Sequence, residues 1–328
     1  MESVKDRFIT HIHALQDRIC AALEAIEAAT TTGPAGAAAA SPVGGARFRE
    51  DRWERPGGGG GISRVIEGGA VFEKGGVNTS VVFGDLPEVM QQHLKVSHNR
   101  FMATGLSLVI HPLNPYVPTV HANWRYFELY DTDGRVADAW FGGGADLTPY
   151  YIFPGDGEHF HRTLKEAMDP FSTEYYPLFK KHCDEYFINK HRGDEARGIG
   201  GVFYDYLRDT AAPGASAAPA ASLETLLSFQ IAGGNAFLPA YLPIVERRKD
   251  LTWGDKEQWW QEYRRGRYVE FNLVHDRGTL FGLKTAGRTE SILMSLPPRA
   301  RWAYDYRPEP GSAEALLVEY LKPRNWIP

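Results

Sequence analysis

Cysteine is nearly missing from this chain: Cys20 and Cys183 are the only two among 328 residues. That is too few to staple a small secreted scaffold, so a reducing compartment is the expectation. Long apolar runs are missing too. No stretch approaches the roughly 20 uninterrupted apolar residues that a membrane-crossing helix needs. Positive charge is not in excess, with 36 Lys and Arg against 41 Asp and Glu, a net charge of -5 and a sequence pI near 6.1. No global field would gather nucleic acid, and any anionic ligand must be met by arginines placed locally. The opening residues MESVKDRFITHIHALQDRIC contain Glu2, Asp6 and Asp17 and no apolar stretch. They look like neither a secretory signal nor a transit peptide, which makes a cytoplasmic location the expectation.

What is present is an ordinary globular mixture, 43% hydrophobic and 23% charged, enough to build a core. Phe8, Ile12, Leu15, Ile19, Leu23 and Ile26 recur at steps of four and three, predicting a helix over 1–29 that lies against the main body. Residues 30–46 and 211–222 turn to Ala, Gly, Thr, Ser and Pro, the composition of a linker and of a disordered insert. One catalytic domain over 47–328 is therefore expected.

The glycine runs do not make a nucleotide loop, because no Lys-Ser or Lys-Thr follows Gly57–Gly61, Gly142–Gly144 or Gly198–Gly201 at the required spacing. Short β-rich runs separated by glycine pairs read instead as antiparallel hairpins. Strands are expected at 105–111, 120–130, 136–141, 200–204, 267–275, 279–283 and 291–296, and helices at 158–168, 173–189, 223–232, 256–264 and 313–321. The clustering predicts an α+β fold with a mainly antiparallel sheet.

Strand periodicity sends His121, Asn123 and Arg125 of VHANWRYFELY to one face and Ala122, Trp124 and Tyr126 to the other. By the same rule Ser107 and His111 of GLSLVIH share a face, so these five polar side chains could converge. In WFGGGADLTPY the strand is expected to end in three glycines, leaving Asp146 on a turn that a ligand can approach; an Asx turn or helix cap suits the same pattern. The histidines fit neither a His-Glu-x-x-His motif nor a Cys/His zinc pattern, and hydrogen-bonding roles suit them as well as metal ligation. Arg197 and Arg288 offer planar forks for carboxylates.

Six motifs in order, HPLNPYVPTVHANWRYFE, WFGGGADLTPYY, HFHRTLKEA, KKHCDEYF with KHRGDEARGIGG, RRGRYVEFNLVHDRGT and TAGRTESILMSLPP, resemble the oxygen-dependent coproporphyrinogen-III oxidase family. The resemblance runs from about Arg47 to the final NWIP. It implies oxidative decarboxylation of two propionates of coproporphyrinogen III to vinyl groups, giving protoporphyrinogen IX in haem biosynthesis, with O2 as oxidant. It also implies a large, mainly antiparallel sheet covered by helices on both faces, no organic cofactor and a homodimer. The carboxyl-terminal strands expected above would form its interface.

Residue by residue, the resemblance makes His121, Asp146, Arg125 and Arg197 catalytic. It assigns Ser107, Asn123, Trp124, Arg125, Ala286, Gly287 and Arg288 to substrate binding. It marks His111, His121, His161 and His191 as candidates for a divalent metal that the reaction is not expected to require. The chain departs from the family's pattern at Ala286, where Gly or Pro-Gly-Ser variants are common, and at Tyr206, where a second Asp is usual. Four propionates call for arginines, and each charge-assisted hydrogen bond contributes roughly 1.5–3 kcal/mol. The pyrrole N–H groups call for a carboxylate, and Asp146 is expected to supply it. A histidine-metal-dependent oxygenase or hydrolase, and a tetrapyrrole carrier without activity, are the rival readings.

Overall fold

The computed structural model describes residues 2–30, 45–86, 91, 100–209, 219, 221–284 and 287–327. Most of the expected linker and insert, and Ala286, lie outside the described residues. Helix α1 (Val4–Ala29) starts where the Ser3 hydroxyl accepts from the Asp6 N–H at 3.1 Å, and its apolar stripe is buried along its whole length. Six strands follow: β1 (Arg49–Glu54), β2 (Gly59–Glu67), β3 (Phe72–Asp85), β4 (Arg100–Pro112), β5 (Thr119–Tyr130) and β6 (Val136–Thr148). They pair antiparallel in chain order. Helices α2 (Pro154–Met168) and α3 (Tyr175–Tyr186) and a two-stranded ribbon, β7 (Ile188–Asn189) and β8 (Glu195–Ala196), lead to β9 (Gly200–Arg208). Strand β9 joins the sheet beside β6, making seven antiparallel strands in one sheet.

One face of the sheet is the main core. Leu106, Leu108, Ala122, Trp124 and Tyr126 are buried with the stripe of α1 and with α4 (Leu223–Arg248). Helices α1 and α4 cross closely because Gly234 has no side chain; a Cβ there would lie 2.8 Å from Leu15. Helix α4 runs on through Gly233, Gly234, Pro239 and Pro243, well past the end expected at Ala232. Here packing between the sheet and α2 outweighs the local cost of glycine and proline.

The other face is covered only in part, by α5 (Asp255–Glu270), a π-helical turn (Phe271–His275), α6 (Arg277–Lys284) and α7 (Thr289–Leu293); α8 (Ala313–Tyr320) follows near the end. Trp260 donates to the Tyr150 carbonyl at 2.6 Å, and the Ser291 hydroxyl meets that of Ser63 at 2.8 Å. Helices thus lie on both faces, as the resemblance implies. The strands expected at 267–275 and 279–283 are instead helical, and the one expected at 291–296 is the end of α7 followed by a turn. The short apolar runs alternate well enough for a strand, and α5 is buried all round from Trp260 to Tyr268, so no one-sided helical period marks it in the sequence. A dimer interface made of carboxyl-terminal strands is thereby excluded for the described residues.

His161 of α2 is fully buried against the β9 side of the core. Its Nδ1 meets the Tyr176 hydroxyl at 2.9 Å, its Nε2 meets the Ile199 carbonyl at 3.1 Å, and its ring stacks on Trp326. Burial, with a smaller contribution from Lys180, pushes its pKa down to about 3. The unfolded chain therefore takes up a proton below about pH 6.5 that the folded chain refuses, so this ring costs stability as pH falls, up to about 1.4 kcal/mol per pH unit. His161→Gln should narrow its stability deficit against the parent between pH 6.5 and 4, measured by urea unfolding; a deficit independent of pH would contradict this.

Candidate active site

Antiparallel register lines up the partly open face. Ser63, Asn78, Ser107, Asn123 and Gly144 form one row across β2 to β6. At about 4.8 Å per strand, this row is roughly 19 Å long. Ser107 is exposed in a strand that is otherwise covered from Phe101 to Pro112. The neighbouring row carries His121 beside Asp146, and the row on the other side carries Arg125 beside Gly142.

On this face runs a chain of hydrogen bonds. Arg125 donates from Nη1 to Asn123 Oδ1 at 2.6 Å, which turns Asn123 Nδ2 towards His121 Nε2 at 3.4 Å. An amide nitrogen can only donate, so Nε2 is the accepting nitrogen and the ring proton sits on Nδ1. From there His121 donates to Asp146 Oδ1 at 2.7 Å. The other carboxylate oxygen, Oδ2, accepts from Arg197 Nη2 at 2.6 Å, and Arg197 Nη1 donates to Asn272 Oδ1 at 3.1 Å.

Asp146 and Arg197 are each only 2% exposed. The guanidinium lies among three aromatic rings, 4.2 Å from the centre of Phe187, 4.7 Å from Tyr268 and 4.9 Å from Phe271. Burial alone would raise the Asp146 pKa, but Arg197 and His121 outweigh it and hold the carboxyl below its usual range. At neutral pH the ring of His121 is thus oriented by a fixed anion, with Nε2 towards the open side.

The structure redistributes several expected roles. The glycines 142–144 do not end a strand; they lie inside β6, and Asp146 is buried beneath His121 with both oxygens engaged. At 2% exposure it offers no open side to a ligand's N–H groups. Arg197 turns its fork to Asp146 and Asn272, not to a propionate. Trp124 faces α4, its ring centre 6.2 Å from that of Phe237, so its side chain is on the far side of the sheet from Asn123. Arg125 is 38% exposed and pairs with Asp205 at 3.0 Å. Arg288, next to Gly287 and just before α7, pairs with Asp51 and approaches Ser291 at 3.4 Å, near the β1–β2 edge. Asp51 pairs with Ser63, so Arg288 stands at the β1 end of the Ser63 to Gly144 row, while Arg125 lies beside that row on β5.

The four candidate metal histidines do not come together. His111 is sealed between the Thr119 hydroxyl at 3.2 Å and the Ser295 carbonyl at 2.8 Å. His161 is fixed across the sheet, as described above. His191 meets His275 at 2.7 Å and Glu270 at 2.9 Å. Both ring nitrogens of these three are engaged, and among the described residues no group of three or more His, Cys, Asp or Glu could hold a metal ion. The donor set does not fit a shared centre. Asn272, Phe187 and Asp205 were not singled out by sequence. Alternation along GGVFYDYLR would place Phe203 and Asp205 on the same face, but the strand expected there stops at Tyr204.

The profile described as coproporphyrinogen III oxidase matches residues 7–326. The chain belongs to this family. It is 50% identical to the oxygen-dependent coproporphyrinogen-III oxidase, chloroplastic, of Glycine max, over 99% of this chain and 80% of the relative. It is also 50% identical to coproporphyrinogen-III oxidase 1, chloroplastic, of Arabidopsis thaliana, with the same coverage. Helix α1 thus falls almost wholly within the part of the chain that carries this oxidase family's pattern.

Replacing Asp146 by Asn would keep the shape but remove the anion and offer His121 a donor as readily as an acceptor. We expect Asp146→Asn to fold, to bind substrate within an order of magnitude of the parent, and to lose on the order of 10²–10⁴ in kcat. Steady-state kinetics like those of the parent would show that the pair serves folding alone.

Proposed function

We propose that the chain catalyses the O2-dependent conversion of two propionate side chains of coproporphyrinogen III to vinyl groups, yielding protoporphyrinogen IX. For each side chain, –CH2–CH2–COOH and O2 become –CH=CH2, CO2 and H2O2. The observation that carries this reading is the hydrogen-bonded line from Arg125 through Asn123 and His121 to the buried Asp146–Arg197 pair. It ends in an accessible guanidinium at one side and an oriented imidazole in the middle of an open sheet face, within an oxidase family.

In this reading Arg125 and Arg288 pair with propionates, giving up or sharing Asp205 and Asp51. Ser107, Asn123 and the backbone at Gly287 complete the contacts along the row. His121 Nε2, which among the described residues has only the long contact to Asn123, exchanges the proton set free as the pyrrole is oxidised. The Asp146 carboxylate stabilises the imidazolium that results. Asp146 and Arg197 act through His121, as positioning residues.

O2 is the co-substrate in this proposal, and neither an organic cofactor nor a divalent metal is required. We place the enzyme in the cytoplasm; in support, α1 is part of the core and both cysteines are buried thiols. Both relatives above are chloroplastic by name, and no described helix is long and apolar enough to cross a membrane. We also propose a homodimer, supported by the exposed apolar side chains Leu273, Val274 and Leu283 on and beside the π-helical turn.

Aerobic incubation with coproporphyrinogen III should yield protoporphyrinogen IX, seen by porphyrin chromatography, with turnover lost under argon and kept in EDTA. Anaerobic turnover, or EDTA inactivation reversed by one metal, would overturn the scheme. Arg125→Lys should lower kcat/KM at least about tenfold, because an ammonium cannot hold a propionate and Asn123 in one plane; near-normal kinetics would show that a point charge suffices. Light scattering at micromolar concentration should give the mass of two chains, and a single-chain mass would exclude the dimer.

A further inference from the structure

With Asp146 enclosed, the N–H groups at the centre of a porphyrinogen need another acceptor. Strand β9 supplies one. Opposite Gly142 the register slips, with Phe141 facing Leu207 and Gly143 facing Tyr204, so Asp205 and Tyr206 together face a single glycine. Tyr206 takes a positive φ of 55°, the strained backbone of a bulge. Alternation along β9 sends Phe203 and Asp205 to the site side, and the extra residue adds Tyr206 there before Leu207 returns to the core.

Gly142 makes the room. A Cβ there would lie 2.7 Å from Arg125 Nε and 2.7 Å from Asp205 Oδ1, so a side chain at this position would push the two meeting ends aside. Asp205 is 24% exposed, against 2% for Asp146. Its Oδ2 faces Arg125 Nη2 at 3.0 Å, and its Oδ1 accepts the Tyr206 N–H at 3.0 Å. A carboxylate has about four acceptor positions, so two remain.

We infer that Asp205, held over Gly142 beside the β9 bulge, is the substrate-facing carboxylate of this site and accepts pyrrole N–H groups of the reduced macrocycle. This rests on the substrate assigned under Proposed function. Alternation sets this carboxylate next to the arginine that meets a propionate, and the bulge turns the Tyr206 N–H onto its Oδ1. One pair thereby reads two features of the ligand: Arg125 the acid rim and Asp205 the donor-rich centre. The oxidised porphyrin carries the same four propionates but only two ring N–H groups, the other two nitrogens being acceptors. Asp205 therefore favours the reduced ring over the oxidised one.

The test compares anaerobic binding of coproporphyrinogen III and coproporphyrin III to the full-length protein by tryptophan fluorescence quenching. Asp205→Asn should weaken binding of the reduced ligand about tenfold more than that of the oxidised one, since a charge-assisted acceptor is lost for only one of them. A disturbed Arg125 would act on both ligands alike, because both carry the same carboxylates. Gly142→Ala, which pushes the pair apart without touching either charge, should give the same selective loss. Equal weakening of both ligands, or no weakening, in a protein whose parent converts coproporphyrinogen III in air overturns the role of Asp205 alone. If the parent binds no coproporphyrinogen III, the substrate assignment falls and this inference with it.

Discussion

The arrangement depends on one buried ion pair. Taking Asp146 and Arg197 out of water costs several kcal/mol per ion, and only close pairing with further hydrogen bonds offsets that. The pair therefore requires β6, the segment before β9 and the π-helical turn to meet at one point, because Arg197 must touch Asp146, Asn272 and three aromatic rings at once. Once they meet, His121 has a single partner for Nδ1 and a single direction for Nε2.

The sheet turns that point into a site. Antiparallel register holds Ser107, Asn123 and Arg125 in neighbouring rows, and the lack of side chains at 142–144 lowers the floor beside them. The opposite face, packed by α1 and α4, makes the floor rigid. The site is thus built on strands rather than loops, which suits a reaction whose substrate is held mainly by its rim while a proton moves at its centre. The π-helical turn fits the same logic. Such turns commonly occur at functional sites, and this one delivers both Phe271 and Asn272 to Arg197.

The histidines show how chemistry can look alike in sequence and differ in space. His111, His121, His161 and His191 are all compatible with hydrogen bonding or metal ligation when read in line. In the fold, one orients towards the open face, two are sealed among carbonyls and hydroxyls, and one belongs to a surface cluster with Glu270 and His275. What separates them is the identity of the second partner on each ring, and no spacing rule reports that.

Period-two alternation was enough to put His121, Asn123 and Arg125 on one face, because strand geometry is local and β5 is regular. The stripe of α1 was legible for the same reason, and ordered motifs along most of the chain pointed to the family. Burial and partnership were not legible. That Asp146 is enclosed, that Trp124 belongs to the far face in spite of its binding motif, and that 267–293 is largely helical all depend on contacts between residues far apart in the chain. Asp205 lies one residue past the strand end expected at Tyr204, because β9 runs on through a bulge to Arg208. Local periodicity determines which side chains share a face; only packing decides which of them keeps water, loses it, or meets a charge.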